Sequence, residues 1–398
     1  MSKVLAINAG SSTLKWKLFN LPEETVVAEG MVDRLNLPAS VFKLKLANGE
    51  KHDETRDNIT NRQAAAMVLT RLKSLHILEH LHEIVGVGHR VVAGGEDFKD
   101  SAVITPDVLK KIQALSSYAP LHNPVQAYYI KTFQTLLPDA VQVAVFDTSL
   151  YTDMPQVNYM YSIPYEYYEK FGARKYGAHG TSHRYVAHRA AEILGKPFES
   201  LKIITLHLGS GSSITAFDHG HAIDTSMGFT PLAGVTMGTR SGDIDASLVA
   251  YLMKKLKITD VQDMIDILNQ KSGLLGISEL SPDQRDLEKV ESTNPKAKLA
   301  LDIFVNRVIS YIGSYVAKLN GIDALIFTAG SGENGIEMRQ KVADQLAYFG
   351  ITVDPEKNNV RGKETRINQD NAPVDVLVVP TNEELMIVRD VERLGNVK

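Results

Sequence analysis

The sequence has no cysteine among its 398 residues. A disulfide framework, a thiolate metal site and a thiol nucleophile are all excluded. Charge of one sign is also scarce. The formal net charge is only −4, which leaves no basic footprint for nucleic acid. Positive charge meant for an anionic ligand must therefore be gathered locally. No apolar run approaches the roughly 20 residues that a membrane-spanning helix needs. The start, MSKVLAINAGSS, lacks the basic stretch, long apolar run and cleavage site of a signal peptide. The expectation is a soluble, cytoplasmic protein. The phosphate-binding pattern GxxxxGK[ST], the HRD and DFG strings of protein kinases, the zinc motif HExxH and the serine-hydrolase elbow GxSxG are all missing.

What remains is an ordinary globular composition, 44% hydrophobic and 23% charged. The length exceeds what a single core usually serves, so two domains are expected. The boundary is placed near Leu150, giving 1–150 and 151–398, with the last helix, from about residue 383, able to pack back on the first domain. Lys3 to Ile7 reads as a buried strand and Leu14 to Phe19 as a half-exposed one, separated by the turn Asn8-Ala9-Gly10-Ser11-Ser12. Further strands are expected at Val26 to Val32, Val41 to Leu46, Ile84 to Val91 and Val141 to Phe146. Helices are expected at Asn61 to Glu79, at Pro106 to Ser117, and from Asn123-Pro124 with Asn as cap. The plan restarts at Lys202 to Leu208, followed by the turn Gly209 to Ser213 and a strand from Ile214 to Phe217. The second half continues with a helix over Lys296 to Asn320, a strand Ala324 to Thr328, a helix after Glu333, a strand Val376 to Val379 and a last helix from Asn382. Strands and helices mixed in this way imply an α/β class of sheets covered by helices. The repeated strand-turn-strand unit points to duplication.

Three glycine- and serine-rich turns follow apolar strands: AGSS at 9–12, GSGSS at 209–213 and AGSGEN at 329–334. Glycine lets backbone approach a ligand, and successive N–H groups make an anion-binding concavity. One such turn is weak evidence; three are stronger. Arg90 in GHRVV and Arg240 in GTRSGD sit among small residues, and each offers a planar fork for carboxylate or phosphate. Tyr176 to His183 is the densest histidine loop, although a satisfied loop histidine is the plainer reading of His179. Asp147 ends a buried strand, where ligands of open α/β sheets gather. Glu383 and Glu384 open the last helix, where acidic residues suit the dipole, and either could serve Mg²⁺. His76, Glu79 and His80 match HxxEH of inverted zinc proteases, but no third ligand accompanies them. A solvated face of an amphipathic helix is the reading taken.

Together the strings INAGSS, GHRVV, PLHNP, VAVFDT, YGAHGTSH, HLGSGSS, DTSMGFTPL, GTRSGD, FTAGSGEN and PTNEELMIVRD resemble the acetate kinase family along nearly the whole chain. The resemblance implies an actin-like ATPase fold of two duplicated domains, ATP and ADP with Mg²⁺, acetate or another short carboxylate with its acyl phosphate, and a homodimer. It implies that Arg90 and Arg240 flank the carboxylate and the migrating phosphoryl group. His179 would donate to the phosphoryl oxygens, and Asp147 would position the metal or the attacking carboxylate. Val92, Leu121 and Pro231 would line the methyl pocket. Asn8 and Glu383 would hold Mg²⁺, with Ser11 and Lys15 beside the phosphates. His207, Gly209, Ser210 and Gly211 belong to the second phosphate turn, and Asp283, Arg285, Gly330, Gly332 and Asn334 lie toward the adenosine.

The chain departs from the family pattern near the site. Ser210 stands where asparagine is usual, Ala178 where phenylalanine is usual, Ser331 for isoleucine and Ala233 for glutamate. Loss of the phenylalanine is expected to open the acyl pocket. A propionate or butyrate kinase, or a weakened nucleotide-binding paralogue with a regulatory role, are the alternatives these changes raise. A carboxylate is already ionised at neutral pH, so this chemistry needs no general base. Positioning and charge neutralisation carry it.

Overall fold

The structure is a computed structural model and describes residues 2–119 and 122–397. The chain divides into two compact units. One runs to Thr152 and takes in the chain again from Asn382; the other is Asp153–Thr381.

The first unit is built on eight strands: β1 (Lys3–Ala9), β2 (Thr13–Asn20), β3 (Thr25–Asp33), β4 (Ser40–Leu46), β5 (Lys51–Arg56), β6 (Ile84–Val91), β7 (Ala102–Val103) and β8 (Val141–Phe146). They form one sheet in the order β5-β4-β3-β2-β1-β6-β8-β7. From β1 to β5 each neighbour is antiparallel, whereas β1, β6 and β8 run parallel. Val4 to Ile7 are apolar without interruption because both faces of β1 are covered. In β2, Leu14, Trp16 and Leu18 face the core while Lys15 and Lys17 point away, the alternation of a half-covered strand. Helices Asn61–Ser74 and Asn123–Leu136 bury one face of the sheet with Leu72, Tyr129 and Phe133. The helix Glu383–Gly395 covers β1, β6 and β8 on the other with Ile387, Val388 and Val391. Glycine is required on β6 for this second contact. A Cβ on Gly88 would lie 2.2 Å from Ile387 and one on Gly86 2.4 Å from Val391.

The second unit repeats the plan with β9 (Lys202–Leu208), β10 (Ser212–Asp218), β11 (His221–Thr225), β12 (Ala324–Thr328), β13 (Thr365–Arg366) and β14 (Asp375–Val378), in the order β11-β10-β9-β12-β14-β13. β9, β10 and β11 pair antiparallel, β9, β12 and β14 run parallel, and β13 closes the edge antiparallel. This matches β3-β2-β1-β6-β8-β7 strand for strand, so the duplication expected from the two strand-turn-strand units is a property of both sheets. Helix Pro295–Leu319 packs Ala300, Phe304, Val308, Ile312 and Tyr315 into the core of this unit. By length and composition that helix could cross a membrane, a correction to the expectation that no such stretch exists. Its buried face belongs to the core, however, and its 25 residues include Lys296, Lys298, Asp302, Arg307 and Lys318.

Several expected elements end elsewhere. The first helix stops at Ser74, because His76 takes a left-handed φ of 55°. His76 and His80 therefore lie in an exposed turn, not on a helix face. Among the described residues no three His, Asp or Glu side chains gather as a metal site. Asn123 is the first helical residue, not the cap. AGSGEN is a short helix, Ala329–Asn334, starting directly from β12. The turn after β9 is only Gly209 to Gly211, since β10 begins at Ser212.

Candidate active site

In the first unit the parallel strands deliver the chemistry. Ile7 pairs with His89 and Val91 with Phe146. Asn8, Arg90 and Asp147 thus emerge side by side at the carboxyl ends of β1, β6 and β8. Arg90 donates from Nε to Asp147 Oδ1 at 3.1 Å, from Nη2 to Oδ2 at 2.6 Å and from Nη1 to Asn8 Oδ1 at 3.2 Å. The Asp147 side chain is 2% exposed. Glu383 starts the C-terminal helix, capped by Asn382, whose side chain accepts from Leu385 N. Burial pushes the Glu383 carboxyl up to about 7; Arg90 opposes this, and Asp147 and Glu384 add to it. Burial alone would depress Arg90, but Asp147 and Glu383 hold it well above its usual value. The hairpin between β1 and β2 is tied by Gly10 N to Thr13 O at 2.8 Å, which leaves Ser11 and Lys15 exposed. Val92 is buried with Ala93 and Ala119. Its N–H is held by Gln126 Oε1 at 3.1 Å, and the N–H of Ala93 by Asn123 Oδ1 at 3.1 Å. Leu121 lies outside the described residues.

In the second unit three expected residues meet at one point. A Cβ built on Gly211 would lie 3.4 Å from His179 Cε1 and 3.5 Å from both His179 Nε2 and Arg240 Nη1. His179 precedes helix Gly180–Leu194 in the left-handed conformation, φ 59°. Its Nδ1 is 2.8 Å from Ser213 Oγ, and its ring stacks on His207 with centroids 4.2 Å apart. Arg240 is half-buried. Its Nη1 donates to Pro231 O at 3.2 Å, and no carboxylate pairs with it among the described residues. Burial depresses its pKa. The GTRSGD loop is clamped by Asp243, which accepts from Gly234 N at 2.8 Å and from Tyr311 OH at 2.5 Å. Ala178 is buried in one apolar cluster with Met227 and Met237.

Also within this unit is a cavity of about 460 Å³. Gly209, Ser210, Asp283, Arg285, Gly330 and Asn334 line it, as expected of nucleotide contacts. His207 and Gly211 lie with His179 instead. Gly332 faces away. A Cβ there would be 3.4 Å from the Phe327 backbone, and its carbonyl accepts from Arg339 Nη1 at 2.9 Å. Glu288 and Arg361 also line the cavity and were missed by sequence reasoning. Both lie outside any glycine-rich string. Arg339, fully buried and donating to the carbonyls of Gly332 and Asn358, was missed as well; nothing around it in the sequence marks it as buried.

The acetokinase family pattern matches residues 3–389. The chain belongs to the acetokinase family. It is 67% identical over 394 residues to acetate kinase 1 of Latilactobacillus sakei, covering 99% of this chain and 100% of that one. It is 59% identical over 395 residues to an acetate kinase of Enterococcus faecalis, again covering 99% and 100%. Among solved structures, the Porphyromonas gingivalis acetate kinase matches with a TM-score of 0.95 at 42% identity, covering 99% of this chain and all of that one. A propionate kinase from Francisella tularensis matches with a TM-score of 0.93 at 40% identity and the same coverage. The two mixed, helix-covered sheets are therefore the acetokinase fold.

Proposed function

We propose that the chain transfers the γ-phosphoryl group of ATP directly and in line to acetate, reversibly, giving acetyl phosphate and ADP. It is an acetate kinase by family and by full-length identity to named acetate kinases. The observation that carries the chemistry is Arg240. A half-buried guanidinium with no carboxylate partner among the described residues, sharing the surface of Gly211 with His179 Nε2, is built for an anion that arrives with the substrate. Arg90 is the counterpart for the carboxylate, held in orientation by Asp147 and Asn8.

In the forward direction a carboxylate oxygen attacks the γ-phosphorus. The bond from that phosphorus to the bridging oxygen breaks, and its electrons leave on ADP. No proton moves, so no base is assigned. His179 Nε2 and Arg240 donate to the phosphoryl oxygens as charge redistributes. The 460 Å³ cavity takes the nucleoside through Asp283, Arg285, Gly330 and Asn334. Gly209, Ser210, Gly211 and His207 of the turn, with Ser11 and Lys15 of the first unit, serve the phosphates. Val92 and Pro231 are the described residues assigned to the methyl group. One methylene more in such a pocket is worth about 1–3 kcal/mol.

Asn8, Asp147 and Glu383 fit Mg²⁺, since they offer hard oxygen donors and the cation usually takes one or two carboxylates with phosphate and water. When bound, Mg²⁺ supplies charge neutralisation to the phosphate oxygens. A homodimer is the proposed assembly. Helix Ala246–Leu256 buries none of its own residues, yet carries Leu248, Tyr251 and Leu256 at 43%, 55% and 56% exposure. Exposed apolar faces of this kind mark contact surfaces. A cytoplasmic location accords with a cysteine-free chain acting on ATP.

The test traps acyl phosphate with hydroxylamine in the presence of ATP, Mg²⁺ and acetate, propionate or butyrate. Acetyl hydroxamate is the expected main product. Nucleotide binding without hydroxamate would favour a regulatory protein.

A further inference from the structure

We propose that Thr205, His183 and Ser213 are positioning residues that fix the proton of neutral His179 on Nε2, the ring nitrogen that faces Gly211. This rests on the reading of His179 as a donor to the phosphoryl group. The four side chains form one closed line. Thr205 Oγ1 lies 2.6 Å from His183 Nδ1, His183 Nε2 lies 2.7 Å from Ser213 Oγ, and Ser213 Oγ lies 2.8 Å from His179 Nδ1. Thr205, His183 and Ser213 are all fully buried. They come from β9, from helix Gly180–Leu194 and from β10.

The direction of each bond follows by elimination. The hydroxyl of Thr205 has one partner among the described residues, His183 Nδ1. A buried O–H left without an acceptor is costly, so Thr205 donates and His183 Nδ1 accepts. Burial and the neighbouring His207 keep His183 well below its ordinary range, hence neutral. A neutral imidazole has one N–H, and here it must be Nε2–H, which donates to Ser213 Oγ. Ser213 has a single proton and one remaining imidazole neighbour, so it donates to His179 Nδ1. The proton of neutral His179 is left on Nε2, pointing at the turn where Arg240 Nη1 also converges. With the proton on Nδ1 instead, a bare nitrogen lone pair would face the phosphoryl oxygens and repel them. The second nitrogen's partner sets which nitrogen of a histidine is protonated, and a wrong tautomer in an otherwise intact site is severely damaging.

The experiment is side-chain nitrogen NMR at pH 8 on the full chain labelled at histidine, with His179→Asn used to assign the His179 signals. Both His183 and His179 are expected as Nε2–H tautomers. A proton on His179 Nδ1, alone or together with Nε2, overturns the proposal, as does Nδ1–H on His183. Kinetics give the second readout. Ser213→Ala should lower kcat on the order of 10²-fold, the scale of a misplaced catalytic group, with KM for ATP little changed. Ser213→Thr, which keeps the hydroxyl, should restore most of it. Wild-type kcat in Ser213→Ala would contradict the role. Wild-type turnover in His179→Asn would instead defeat the donor reading, while the spectrum would still decide the tautomer.

Discussion

Burial holds the Glu383 carboxyl near 7 although Arg90 stands beside it. A carboxyl raised above its usual 4.5 stabilises the folded state below that value, and the contribution is lost as pH rises through about 7. A divalent cation binds the ionised form and must displace the proton. The Mg²⁺ concentration needed for half-maximal activity should therefore rise by about tenfold per pH unit below 7 and be flat above it. Glu383→Gln should raise that concentration at every pH and remove the slope. A wild-type slope that persists in the variant would assign the proton elsewhere. Arg240 shows the converse principle: with no carboxylate paired to it among the described residues, it is depressed by burial, and bound phosphate should restore it.

At the scale of elements, the placement of Glu383 depends on how closely its helix approaches β6. Gly88→Ala would force a Cβ to within 2.2 Å of Ile387. Overpacking of this kind costs about 1–3 kcal/mol. Urea denaturation should show that loss, and Ile387→Ala in the same chain should recover part of it through coupling between touching sites. Additive losses would mean that the two residues do not share the strain. The strands legible in the sequence were those with an apolar run or alternation: β1, β2, β3, β4, β6, β8, β9, β10, β12 and β14. β5, with the sequence KHDETR, has no apolar residue and forms by edge pairing with β4, so no pattern could reveal it. Asn123 beside Pro124 resembles a cap, but its side chain is buried and holds Ala93 at both N–H and C=O. Arg90 and Arg240 could be singled out because each interrupts a short string of small residues, and Asp147 because it ends a buried strand; the roles of Asn8 and His179 came only from the family resemblance. The Thr205-His183-Ser213 line was not, since hydroxyls on apolar strands give no local sign of what they face.

The whole molecule is one β-sheet plan used twice, with different chemistry at the strand ends: a carboxylate-arginine-amide cluster in the first unit, and a histidine-arginine pair over a glycine turn in the second. An apolar helix surface left exposed on the second unit is the basis for the proposed dimer. The wild-type chain should sediment as a dimer and the variant Leu248→Asp with Tyr251→Asp as a monomer; a monomeric wild type would contradict the proposed assembly, and an unchanged dimer in the variant would place the interface elsewhere. The central claim, that fixed donors neutralise two anions with no general base, is tested most directly by acetyl hydroxamate formation in Arg90→Ala and Arg240→Ala. Each variant is predicted to lose about 10²–10³ in rate while its thermal unfolding stays that of a folded protein. Turnover close to wild type in both would contradict the account.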